Sequence, residues 1–200
     1  MSPRTQADRT AATRAALIAA ARHLFAEHGF AGVGSEAIAA AAKVSRGAMY
    51  HHFADKTELF AAALVEVESE AADRIALAAV RGPELDFSSV MMCAFNEWLD
   101  ACEAPEIQRI VLLDGPSVLG WARWRELCYP YILAMVEQLI AQHTDEGSLP
   151  PLPARALAHL MLAISDEAAM YVATAEGTAL ARDDMVAVVT ALIDGLVARS

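Results

Sequence analysis

The stretch from Gly34 to Lys56, GSEAIAAAAKVSRGAMYHHFADK, constrains the fold more than any other. It divides into two short helical pieces around a tight turn. Ser35 can cap the first piece, with Glu36 in the opening turn, where the helix dipole favours negative charge. Ile38, Ala41 and Ala42 follow at helical spacing. Lys43 and Val44 stand at the break. Ser45 can cap the second piece, Arg46-Gly47-Ala48-Met49-Tyr50-His51-His52-Phe53. This is the layout of a helix-turn-helix, whose second helix enters the DNA major groove N-terminus first. Periodicity alone also admits a plainer reading, two short helices in an all-α core.

The flanks separate these readings. TRAALIAAARHLFAEHGFAGVG precedes the stretch and ADKTELFAAAL follows its second piece. The ordered set Arg14, Ala20, Ala21, Leu24, Phe25, Gly29, Phe30, Ile38, Ala39, Val44, Ser45, Gly47, Tyr50, Phe53, Lys56 and Leu59 resembles the N-terminal domain of the TetR family of transcriptional regulators. The resemblance covers roughly residues 12–60 without a gap. Two positions depart from it. Gly34 stands where the family usually has Thr or Ser, which would move the cap to Ser35. Lys43 stands where the family usually has Gly, and would take a left-handed conformation at a cost of about 1 kcal/mol or more.

The resemblance implies an all-α fold of about nine helices. A three-helix DNA-binding domain would occupy residues 1–55, and a larger helical ligand-binding and dimerisation domain residues 56–200. Composition agrees: the chain is 56% hydrophobic but 6% aromatic, so its core is aliphatic and Ala-rich, and no alternating strand pattern is present. A net charge of −11 argues against nucleic acid until its distribution is read. Residues 1–60 hold seven Lys/Arg against five Asp/Glu, whereas residues 61–200 hold 8 against 21. An acidic body leaves the N-terminal head as the DNA-facing surface, and also aids solubility.

Cys93, Cys102 and Cys128 show neither CxxC nor metal-finger spacing. They read as reduced, buried thiols of a cytoplasmic protein, a redox-sensing or metal-binding trio being the alternative. No cofactor or metal is expected. Ala15–Ala21 is apolar but flanked by Arg14 and Arg22 within a continuing helical period, so it is not a signal peptide. No apolar run is expected to span a membrane.

Residues 1–10 are polar and expected to lack fixed structure, with Arg4 and Arg9 as candidate DNA-backbone arms. A first helix should run from Ala12 to His28 and stop at Gly29. Asp55 and Glu58 look like a capping box for a helix from Lys56 to about Val80, ended by Arg81-Gly82-Pro83. Helical spacing recurs from Glu84 to Cys102, and a short helix spans Glu106–Leu113. DGPSVLGWARWREL, residues 114–127, resembles a ligand-binding domain of one branch of the family. Pro130 should kink the helix from Trp121 to about Gln142 and make room for a cavity. The pair Trp121 and Trp124 serves either that cavity or the core. Residues 143–153 are a loop. Ala154–Ala175 is apolar nearly all round, interrupted by Asp166 and Glu167. Those acids would pair with Arg123 or Arg125, or meet a ligand's cation or hydroxyl. The last helix spans Arg182–Val197.

The expected function is that of a homodimeric repressor on double-stranded DNA, released from a near-palindromic operator by a small apolar, aromatic or cationic effector. A ligand-dependent activator, or a ligand-binding dimer without an operator, are the alternatives. An enzyme is not expected, because no Ser/His/Asp ordering, phosphate loop or HExxH is present. Candidate DNA-binding residues are Ser35, Lys43, Ser45, Arg46, Gly47, Ala48, Tyr50, His51 and Lys56. Arg46 is the first choice for a guanine contact, and the resemblance implies that Lys56 grips a phosphate. Candidate ligand-binding residues are Met91, Phe95, Trp98, Trp121, Trp124, Met135, Glu167 and Met170. Candidate dimer residues are Leu157, Leu160, Ile164, Met185, Val189, Leu192 and Leu196.

Overall fold

The computed structural model describes residues 5–80 and 86–197, with Tyr131 described by its backbone. The stop at Arg81-Gly82-Pro83 and the arm at Arg4 lie outside these residues. The described residues form nine α-helices and one π-helix, with no strand: α1 (Gln6–Gly32), α2 (Ser35–Ala41), α3 (Arg46–His52), α4 (Lys56–Ala79), α5 (Phe87–Ala101), π1 (Ile107–Asp114), α6 (Gly115–Leu119), α7 (Trp121–Asp145), α8 (Ala154–Thr174) and α9 (Thr178–Val197). Two compact units divide the chain. The first comprises Met1–Glu68 and Pro105–Leu127, the second Ser69–Ala104 and Cys128–Ser200. This cut differs from a linear division at residue 55: it falls inside α4 and α7, and it groups residues 105–127 with the head.

In the first unit, α1 begins earlier than the apolar pattern suggested. Thr5 Oγ1 accepts from the Asp8 N–H at 3.2 Å, and Asp8 Oδ2 accepts from the Thr5 N–H at 2.9 Å. This capping box makes residues 6–10 helical, correcting the expectation that they lack structure. Gly29, at φ 69° and ψ 167°, breaks the helical path of α1 where a stop was expected, and a further short turn beyond it reaches Gly32. Below the break, Phe25, Phe30 and Phe60 meet ring to ring at centroid distances of 5.3–5.7 Å. Phe25 and Phe60 are fully buried.

The short helix expected over Glu106–Leu113 is present as a π-helix over residues 107–114. Its ends are tied to α1. Arg22 Nη2 donates to Glu106 Oε2 at 2.9 Å, and Asp114 Oδ2 accepts from the Phe30 N–H at 2.6 Å. Asp114 also pairs with Arg109 Nε at 3.3 Å. The Arg109 guanidinium lies against Gly29, where a Cβ would stand 2.6 Å from its Cζ. Gly115 is equally confined, its missing Cβ falling 2.7 Å from Cδ1 of the buried Trp124. Asp55 caps α4 by accepting from the Glu58 N–H at 2.8 Å, but the reciprocal half of the capping box is replaced. The Glu58 carboxylate takes Arg123 Nη2 at 2.8 and 2.9 Å. Arg123 therefore serves α4 and not an acid of α8.

The second unit is built from helix faces. Asp86 caps α5, accepting from the Ser89 N–H at 3.0 Å and the Ser89 hydroxyl at 2.6 Å. Phe87, Met91, Phe95, Trp98 and Leu99 then form a buried stripe, and α5 packs on α8 and α9. Trp98 Nε1 donates to the Ser165 carbonyl at 3.2 Å. Asp166 accepts from the Tyr129 hydroxyl at 2.6 Å. Arg182 pairs with Asp100 and, at 3.4 Å, with Glu103. His143 is buried edge-on against Phe87, its Nδ1 3.0 Å from Ser148 Oγ. Pro130 does not interrupt α7. Cys93 is half-buried, and Cys102 and Cys128 are buried. Among the described residues no group of three or more His, Cys, Asp or Glu is placed to hold a metal.

One described helix is long and apolar enough to cross a membrane, Ala154–Thr174, which corrects the expectation that no run would reach that length. Its apolar faces have another outlet, since α8 packs on α5 and α9.

Candidate nucleic-acid interface

The helix-turn-helix is held from below by buried groups. Ile38 and Ala39 of α2, Met49 of α3 and Phe53 behind it are all buried, and α2 packs on both α1 and α3. Gly34 is the N-cap of α2 and makes no side-chain cap bond; Ser35 is already the first helical residue. The expected Ser35 cap is therefore absent, and its Oγ instead accepts from the Tyr50 hydroxyl at 3.3 Å. The turn is closed by backbone bonds, Lys43 N–H to the Ala40 carbonyl at 3.0 Å and Val44 N–H to the Ala39 carbonyl at 2.9 Å. Lys43 takes φ 57°, the left-handed conformation expected of it. Ser45 caps α3 as expected, its Oγ accepting from the Ala48 N–H at 3.1 Å.

With Met49 pointing inward, the helical period leaves Ser45, Arg46, Gly47, Tyr50 and His51 exposed. Lys43 is exposed as well, and Ser35, Ala48 and Lys56 are half-buried. All nine candidate DNA-binding residues thus lie on α2, the turn, α3 or the first residue of α4. Arg46 pairs with Glu36, Nη1 to Oε1 at 2.5 Å, and its Cζ stands 5.6 Å from the Tyr50 ring centroid. The bond to Tyr50 first, and Glu36 second, hold the Arg46 pKa above its ordinary value. The Ser35 hydroxyl first, and Arg46 second, draw the Tyr50 phenol below its own. Neither the Glu36 pairing nor the Tyr50–Ser35 bond was foreseen.

Lys56 donates to the Phe30 and Val33 carbonyls, both at 2.9 Å, and lies 4.0 Å from the Phe30 ring centroid. Two of its three donors are thus committed to the end of α1. Arg14, on the exposed side of α1, stacks over Phe53 at 5.0 Å.

The candidate ligand residues do not gather in one unit. Met91, Phe95, Trp98, Met135 and Met170 belong to the second unit, Trp121 and Trp124 to the first. Trp121 is 58% exposed, tilted on Trp124 at 5.0 Å and with Arg125 5.7 Å above it. Glu167 is exposed, so it is not a buried carboxylate in need of a partner; its half-buried neighbour Asp166 already has one in the Tyr129 hydroxyl. The dimer candidates also divide. Leu157 and Val189 are buried within the protomer, which leaves them nothing to offer a second copy. Leu160 is 61% and Leu192 50% exposed, with Ile164, Met185 and Leu196 half-buried. The sequence reading missed Tyr171, Val188 and Leu180, all exposed on the same two helices. Their spacing from Leu160 and Leu192 was the available signal.

Comparison with known proteins points one way. The family model for bacterial regulatory proteins of the tetR family matches residues 17–63. A tetracyclin repressor-like C-terminal domain model matches residues 88–196. The structure of a TetR-family transcriptional regulator from Pectobacterium atrosepticum is 31% identical, covers 97% of this chain and 98% of its own, and superposes with a TM-score of 0.81. A candidate TetR-family regulator from Shewanella sp. PV-4 is 25% identical over 88% of this chain and 95% of its own, with a TM-score of 0.70. The fatty acid degradation regulator FadR from Bacillus halodurans shares the fold at 18% identity and a TM-score of 0.68, over 92% of this chain and 95% of its own. No curated protein matches.

Proposed function

Because the chain belongs to the TetR family of transcriptional regulators, and is therefore a DNA-binding regulator rather than an enzyme, we propose that it acts in the cytoplasm as a homodimeric repressor that a small molecule releases from its operator. The observation that carries the reading is the exposed N-terminal turn of α3. There a Ser45 cap fixes the helix start, and Arg46, Gly47 and Tyr50 face outward above a buried Met49. A guanidinium at that place can take guanine O6 and N7 together. Gly47 admits close approach, and Ala48 supplies an apolar contact. Ser45, Tyr50, His51, Lys43 and the third donor of Lys56 would hold phosphates and fix the register.

Two heads need a two-fold axis. The exposed apolar stripe of α8 and α9, with Leu160, Tyr171, Val188 and Leu192, supports a four-helix pairing of two copies. The heads would then meet successive major grooves about one helical turn apart. The effector would enter the second unit among Met91, Phe95, Trp98, Met135 and Met170, walls that favour an apolar aromatic compound. It acts only if it binds better to a shape whose heads no longer match the groove spacing. Helix α4, which contributes residues to both units, is the element that would carry that change.

The test is selection of bound sequences from random duplex DNA at fixed salt. The reading requires a near-palindrome with half-sites about one turn apart. Recovery of nothing above background, from a folded dimer, would overturn it.

A further inference from the structure

Arg46 is not offered to DNA as a free cation. Glu36, one residue into α2, takes its Nη1 at 2.5 Å, and the Tyr50 ring lies beneath its Cζ. The phenol of Tyr50 is itself anchored on Ser35, the residue preceding Glu36. Ser35, Glu36, Arg46 and Tyr50 therefore form one connected network across the outer face of α2 and α3. Both partners of the ion pair are well exposed, with side chains 60% and 66% accessible. An acid in the middle of a surface meant for phosphates needs a reason, because it repels them.

A guanidinium carries five N–H donors in a fixed plane. A carboxylate on Nη1 does not take up Nε and Nη2, the other donor edge of the guanidinium. That edge can still bond a guanine in pairwise fashion without breaking the ion pair. Non-specific attraction to a phosphate, by contrast, draws on net charge, and Glu36 cancels the charge of Arg46 locally. The same carboxylate therefore suppresses one mode of binding and orients the other.

We propose that Glu36 is a specificity-determining positioning residue, which withholds Arg46 from phosphates and sets its guanidinium to read a base edge. The proposal rests on the DNA-reading assignment of α3. It implies that discrimination by this head comes partly from suppressed non-specific binding.

The experiment measures binding of the full-length protein to random duplex and to the selected operator across a salt series. It compares the wild type, Glu36→Gln, Arg46→Ala and the double variant, with thermal unfolding as the check on folding. Glu36→Gln should raise affinity for random duplex about two- to fivefold, the scale of a released exposed ion pair. It should also steepen the salt dependence by about one phosphate contact. Operator affinity should stay level or fall, so the ratio of specific to non-specific binding drops. In the Arg46→Ala background, Glu36→Gln should lose this differential effect. An equal gain on both DNAs, the same in both backgrounds, would mean that Glu36 acts only as a repelling charge and would overturn the proposal. So would no change at all. A wild type that selects no sequence would instead overturn the DNA-reading assignment, and this inference with it.

Discussion

Each of the two units of the molecule is held together internally by its own means. In the first, single side chains tie separate elements together through particular polar contacts. Lys56 spans two carbonyls of α1, Asp114 takes the backbone N–H of Phe30, and Arg109 occupies the room that Gly29 leaves. In the second, helix faces meet over stripes of Leu, Met, Ala and aromatic residues, with Trp98 to Ser165, Tyr129 to Asp166 and Arg182 to Asp100 among the cross-links. The lesson concerns what each unit must do. A surface that reads DNA has to hold side chains to within a fraction of an ångström of their mark. A body that accommodates an effector needs volume and pattern, which many apolar sets supply equally well.

The sharpest way to break this contrast is to treat both cores alike. Phe60→Ala removes the shared partner of Phe25 and Phe30 and should cost about 3–5 kcal/mol. Phe95→Ala, the same truncation in the second unit, should cost less, about 3 kcal/mol or below, because a core built on pattern closes further over the space. Urea unfolding of the two variants decides it, and equal losses would erase the distinction.

Next comes the reading surface. Arg46→Ala should lower operator affinity by about 1–3 kcal/mol and relax base preference at one position of each half-site, leaving the melting temperature in place. Titration of labelled operator by fluorescence anisotropy checks both parts. Asp114→Ala should destabilise by about 1–3 kcal/mol, because the Phe30 N–H and Arg109 both lose their acceptor. Asp114→Asn, which keeps one acceptor oxygen, should recover part of that loss in the same denaturation assay.

Lys43→Gly should stabilise by about 0.5 kcal/mol, since relief of the left-handed backbone outweighs the greater freedom of glycine in the unfolded chain. The variant should also lose a little DNA affinity with the lysine's charge. A destabilised variant would show that Lys43 is held by something other than its backbone.

The smallest effect belongs to the second unit. The Ser89 hydroxyl and then the Ser89 backbone N–H hold the Asp86 carboxyl below its ordinary value. A depressed acid stabilises the fold at pH values above its unfolded value near 3.8. That contribution fades as pH falls below 3.8 toward the folded value. Asp86→Asn keeps a good cap and should flatten this part of the stability profile between pH 5 and 2, read by circular dichroism.

Much of the first unit was legible because its turns are written in residue types. Ser45 before a helix is a cap by its residue type and Lys43's left-handed backbone followed from the resemblance, whereas the carbonyl bonds of Lys56 were not foreseen. The apolar stripes of α5 and α8 were legible from period alone. What was hidden depends on distance along the chain. Nothing near Glu58 announces Arg123, and nothing near Glu36 announces Arg46, since pairs between separate helices leave no local spacing. The early start of α1 was legible in principle, in Thr5 and Asp8, but a polar segment masked its capping box. The buried fate of Leu157 and Val189 turned on which side of each stripe faces the protomer's own core, and two stripes on one helix cannot be ranked by period.

The π-helical segment has a consequence for how this gene can change length. Each residue of a helix turns the chain by a large angle, about 100° in the α form and less in the wider π form, so losing one residue between Ile107 and Asp114 would not merely shorten the segment. It would turn everything before the cut relative to everything after it, carrying Arg109 away from Gly29 or Asp114 away from Phe30. Surface loops absorb an in-frame codon deletion as slack. Here the same deletion would act as a phase error, with Glu106 and Asp114 as the two marks that must stay in step.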